Sequence, residues 1–157
     1  MLTLIPKHWY AWDFRVTEDG RDIASIERDW FRERATLDVD GASYHVRRTS
    51  IVHGTFTLEH KGRLVAEAQK PSAFRRAFEV VTAEGERYEL AAVSMFRRRF
   101  QLLRGGVPVG VVEPVSVFGR TATAKFPTTL SRPLQLFLVF LVLVLWKRAS
   151  DAAASSG

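Results

Sequence analysis

One unit is written three times in this chain. The first copy reads Phe14-Arg15-Val16, then Gly20-Arg21-Asp22-Ile23-Ala24, then Glu27. The second reads Phe56-Thr57-Leu58, Gly62-Arg63-Leu64-Val65-Ala66 and Gln69. The third reads Phe100-Gln101-Leu102, Gly106-Val107-Pro108-Val109-Gly110 and Glu113. The three phenylalanines set a period of 42 to 44 residues, the range in which repeat architectures occur. At one fixed distance further on, each copy carries an arginine: Arg34, Arg76 and Arg120.

Each copy has physical content. Phe-x-Val and Phe-x-Leu put two apolar side chains on one face of a strand. The glycine supplies a tight turn, and a β-rich return strand follows. The segments Phe31 to Asp38, Phe74 to Val81 and Phe118 to Phe126 are expected as third strands. A second turn then leads to a fourth, since Gly41-x2-Tyr44-x-Val46 matches Gly85-x2-Tyr88-x-Leu90. Asp40-Gly41 and Glu84-Gly85 are good hairpin turns. The third copy breaks the rule, because Pro127 and an apolar stretch replace its fourth strand. About eleven strands are readable, and Leu2 to Ile5 offers a twelfth.

The apolar stretch runs from Leu134 to Trp146, interrupted only by Gln135. As a helix it is roughly 20 Å long, against about 30 Å for a bilayer's hydrocarbon core. Pro133 suits a first turn, and Lys147-Arg148 suit a C-terminal end. The helix expected at about 133–148 is apolar on every side, so it must be enclosed. A propeller of four-stranded blades would not need it. A closed barrel of about twelve strands is too wide for its own side chains to fill. Barrel and helix therefore explain each other. The expected fold is mainly β, a closed antiparallel barrel of about 12 strands around one central hydrophobic C-terminal helix. It spans residues 1–149 as one domain, and 150–157 is expected as a flexible tail.

This arrangement resembles the tubby C-terminal-like fold of tubby proteins, phospholipid scramblases and LURP-one-related proteins. The strand–Gly–strand units and the final helix from Pro133 to Arg148 carry the resemblance, which covers nearly the whole chain. It is closest in form to the short LURP-one-related and scramblase-like members. The resemblance implies phosphoinositide binding, membrane tethering or another phospholipid-associated role. Scramblases carry a palmitoylated cysteine-rich stretch, and this chain has no cysteine.

Composition narrows the chemistry. With 157 residues, 46% of them hydrophobic and 25% charged, the chain suits one globular domain. The lack of cysteine excludes disulfides, Cys-ligated metals and a thiol nucleophile. Met1 to Pro6 has no basic n-region or full h-region, so no signal peptide is expected. His8, His45, His53 and His60 make no paired ligand spacing. Asp38-Val39-Asp40-Gly41 resembles the start of a calcium loop but lacks its later ligands, and a hairpin turn explains it. Gly105-Gly106-x3-Gly110 sits in a hairpin and opens no helix. No catalytic motif appears, so neither enzyme activity, a metal nor a cofactor is expected.

The net charge of +6 draws the chain toward phosphate. The basic clusters are Arg32 with Arg34, Arg47-Arg48, Arg75-Arg76 and Arg97-Arg98-Arg99. On a strand, Arg97 and Arg99 would face solvent. Arg98 would fall on the apolar face with Phe96 and Phe100, which places it at a barrel rim or a bulge. Two readings stay open. Arg97, Arg99, Arg75, Arg47 and Arg48 form a patch for headgroup phosphates, or they belong to a solvated outer face neutralised by Glu33, Glu79 and Glu89. The recurring Arg34, Arg76 and Arg120 are expected to pair with Glu27, Gln69 and Glu113.

The expected function is a non-enzymatic module that meets phospholipid headgroups or a protein partner at a membrane surface. It is expected to be a cytoplasmic monomer, peripheral at the membrane. The alternative is a single-pass membrane-anchored protein with Leu134 to Trp146 inserted and a cytoplasmic β domain. Nucleic-acid binding is not expected, because Phe14, Phe56 and Phe100 read as core and no nucleic-acid motif is present.

Overall fold

Apolar–polar alternation becomes twelve antiparallel strands in the computed structural model, which describes residues 1–8, 12–29, 33–50, 54–72, 74–94 and 98–156. The strands are β1 (Leu2–Pro6), β2 (Phe14–Glu18), β3 (Arg21–Asp29), β4 (Arg34–Val39), β5 (Ala42–Ser50) and β6 (Thr55–His60). They continue with β7 (Arg63–Gln69), β8 (Ala77–Thr82), β9 (Arg87–Ala92), β10 (Phe100–Arg104), β11 (Val107–Pro114) and β12 (Ala122–Lys125). Each strand pairs with its neighbours in sequence, and β1 closes the barrel by pairing with both β12 and β2. So β1 stands where the third copy lacks its fourth strand.

The repeat is visible in backbone detail. The first hairpin of each copy slips register at the same point: after Val16, after Leu58 and after Leu102. The extra residue is Ile23, Val65 or Val109. Such bulges add twist, which helps a sheet curl closed. Asp19-Gly20, Asp40-Gly41 and Lys61-Gly62 all take positive φ at both positions, the geometry of a tight two-residue hairpin. Gly110 stands where the other copies have Ala24 and Ala66. A Cβ there would meet Phe126 Cδ1 at 2.8 Å and the Lys125 carbonyl at 2.9 Å, so the chain leaving β12 requires the glycine.

The helix α1 (Arg132–Ser156) threads the barrel. Leu134 and every residue from Leu136 to Trp146 are buried. Phe14, Phe56 and Phe100, at one repeat position, are fully buried in the same core as the helix. Phe140 meets Phe56 edge-on, with ring centroids 5.8 Å apart. Burying such a side chain stabilises by about 1.5–3 kcal/mol. Among the described residues, no helix is long and apolar enough to cross a membrane. The outer wall carries ion pairs, among them Arg15–Asp22, Arg47–Glu59, Arg99–Glu113 and Arg104–Glu86. A membrane-spanning barrel presents an apolar band there instead.

Two expectations need correction. The third strands start at Arg34, Ala77 and Ala122, not at Phe31, Phe74 and Phe118. Phe74 and Phe118 lie in the preceding connections, and Phe31 lies outside the described residues. The segment from 150 onward is exposed but helical as far as Ser156. Ala152 to Ala154 are strong helix formers, and Lys147 pairs with Asp151 one turn on. The residues expected to pair with the recurring arginines contact other groups. Glu27 pairs with Lys7, Gln69 bonds Glu67, and Glu113 pairs with Arg99.

Candidate functional site

Strands that alternate in direction send their connections to alternate ends of the barrel. One end takes the tight turns and the start of α1, where Arg132 reaches Glu18 at 2.6 Å. The other takes the longer connections and the exit of α1. Three of these connections, 70–76, 93–99 and 115–121, follow one another around the rim. None contains an aspartate or glutamate. Their described residues bring Lys70, Arg75, Arg76, Arg98, Arg99 and Arg120 to one arc.

Stacking on aromatic rings holds this arc in place. The Arg76 guanidinium lies 5.4 Å from the Phe100 ring centroid, and that of Arg120 lies 5.5 Å from Trp12. Arg98 lies over Trp146, the last buried residue of α1, at 4.6 Å. Arg98 also donates to the Gly119 carbonyl at 2.9 Å and the Val117 carbonyl at 3.3 Å, tying two connections together. Of the two places expected for Arg98, a barrel rim or a bulge, it takes the rim, in the connection before β10 and not on a strand. Such stacking is worth about 0.5–2 kcal/mol per pair. It also explains why Arg76 and Arg120 recur: each pins its connection to the barrel. Burial lowers the pKa of Arg98. Burial also lowers that of Lys70, helped by repulsion from Arg148 and Arg76.

The far side of the rim is balanced. Glu33 accepts from Arg48 at 2.8 Å and from Arg148 at 3.1 Å. Asp13 accepts the Arg28 backbone N–H at 2.9 Å. Arg28 lies over Phe140, and burial lowers its pKa against the pull of Glu33. Just beyond the buried part of α1, Arg148 reaches this side through Glu33, and Asp151 acts on the Arg28 guanidinium.

The sequence candidates divide between the two sides. Arg75 and Arg99 are exposed in the arc, paired outward with Glu89 at 2.9 Å and Glu113 at 3.6 Å. Arg47 lies on the β5 wall, where its Nη2 donates to both carboxylate oxygens of Glu59 at 2.9 Å. Arg48 is on β5 as well, bonded to Glu33 and the Ser50 carbonyl. Arg32, Arg97, Phe96 and His53 lie outside the described residues. His60 stacks on Tyr44 and contacts the Ser43 carbonyl at 3.0 Å. Asp40-Gly41 and Gly105-Gly106 form hairpin turns.

Sequence reasoning missed the apolar tips of the arc. Phe74 and Phe118 are each 98% exposed. They occupy the same repeat position, two residues before Arg76 and Arg120. The available signal was that Phe-x-Arg spacing: the arginine turns in to stack, and the phenylalanine turns out. A shallow depression lined by Phe74, Arg75, Arg76, Ala92 and Ser94 lies at the foot of one tip. Comparison with protein-family models, with curated proteins and with solved structures finds no match to this chain.

Proposed function

We propose that this chain is a non-enzymatic module of tubby-like architecture that binds anionic phospholipid at a cytoplasmic membrane surface. One observation carries the reading: three consecutive rim connections hold six described cations and no acid. Each basic residue near an anionic surface contributes about 1 kcal/mol. The opposite end supports the same orientation, since its tight turns carry Asp19, Asp40, Glu84 and Glu86 against Lys61 alone. That asymmetry turns the arc toward negative charge.

The test is co-sedimentation with phosphatidylcholine vesicles, with and without phosphatidylserine. Binding is expected only with phosphatidylserine and should weaken as salt rises. Arg75→Glu with Arg99→Glu should reduce it by about 30-fold or more. Both side chains are exposed, so the thermal midpoint serves as the folding control. Equal binding to neutral vesicles, or no loss in the double variant, would overturn the reading. Salt-sensitive capture of an acidic protein without vesicle binding would replace the membrane by a protein partner.

A further inference from the structure

The arc carries more than charge. In the connection 115–121, Val115 is 62% exposed, Val117 76% and Phe118 98%. The equivalent place in the connection 70–76 holds Phe74, also 98% exposed. These side chains are large and apolar, and they stand on the basic side of one rim. Scattered exposed apolar residues need no explanation. An aromatic turned out at the same repeat position twice, each time above an arginine stacked inward, is not scatter.

The geometry points to a membrane wedge: Phe74, Val117 and Phe118 enter the interfacial layer of an anionic bilayer while the arginines behind them meet its phosphates. This rests on the anionic-surface reading above. Aromatic rings favour the headgroup level, and interfacial elements bury their apolar face about 5–10 Å deep. The arrangement suits that depth. Arg76 and Arg120 sit two residues behind the rings, held back by Phe100 and Trp12. Beyond Trp146, Arg148 of α1 pairs with Glu33 across the rim from these tips. A tilted barrel, with the three connections down, brings these tips to the surface first. A second copy of the chain fits less well, because two such arcs would bring like charges together.

The chain has no cysteine, so Val117→Cys takes a single environment-sensitive NBD label. Vesicles of phosphatidylcholine with phosphatidylserine, some bearing doxyl groups shallow in the acyl chain, are the probe. The label should shift to the blue on binding and be quenched by the doxyl lipid. Phe74→Ser with Phe118→Ser should bind about tenfold or more weakly, with an unchanged thermal midpoint. Phe74→Trp with Phe118→Trp should retain binding. Vesicle binding that leaves the label water-like and the serine variant unimpaired would overturn the wedge and leave the surface reading standing. Absence of wild-type binding to these vesicles would overturn both. A blue shift without vesicles that rises with protein concentration would assign the tips to self-association and overturn the wedge.

Discussion

Arg98 and Trp146 hold each other twice. The guanidinium lies 4.6 Å from the indole centroid, and the indole Nε1–H donates to the Arg98 carbonyl at 2.9 Å. The end of the buried helix is thereby fastened to the middle connection of the basic arc. Trp146→Phe is expected to cost about 1–2 kcal/mol, from one lost hydrogen bond and a weaker π face. A double-mutant cycle with Arg98→Ala should give a coupling of about 0.5–1.5 kcal/mol. Urea denaturation measures both.

Leu141 is fully buried at the middle of α1. Leu141→Asp places an unpaired carboxylate inside the barrel, and loss of the folded state is expected. Circular dichroism should show no native β signal. A folded, monodisperse variant would mean that the helix is not the core.

Glu33 serves two cations, Arg48 and Arg148, with its side chain 21% exposed. It is the acid that balances the helix side of the rim. Glu33→Gln should destabilise by about 1–3 kcal/mol, between the ranges for surface and buried pairs. The loss should shrink in high salt if repulsion among the remaining cations dominates it. Denaturation at two ionic strengths separates these contributions.

Tyr88 is 6% exposed and donates to Glu86 at 2.9 Å. Burial, then that hydrogen bond, raises its pKa above the ordinary 10.0. Above that value the unfolded chain loses the phenol proton first. Stability should therefore be full below about pH 10 and fall as pH climbs toward the folded value. Tyr88→Phe should remove that share of the decline, as read from melting midpoints between pH 9 and 11.

The barrel was legible because strand period, glycine turns and threefold repetition all state the same backbone. Phe14, Phe56 and Phe100 are buried together as their shared position predicts. The missing fourth strand of the third copy was not settled by the pattern, in which Leu2 to Ile5 only offered a twelfth; the pairing of β1 with both β12 and β2 supplies it. The site was less legible because outward and inward aromatics look alike in sequence. Phe74 reads as the first residue of a strand until Arg76 is seen to take the inward place on Phe100. Likewise Arg75 and Arg47 are equivalent as letters and each pairs with one glutamate, Glu89 or Glu59, yet Arg75 stands in a connection without acids and Arg47 within a strand. That difference comes from strand order around the barrel, which pattern reading does not assign residue by residue.

The element at the centre of this barrel is made after all of its walls. At about 5–20 residues per second, a ribosome takes about 1 to 5 s to add the 25 residues of α1. Through that interval the strands are complete but have nothing to close around. The nascent chain must keep its inward phenylalanines from other chains until the helix arrives. A message truncated before Arg132 would thus yield sheets prone to aggregate, not a hollow version of the same barrel.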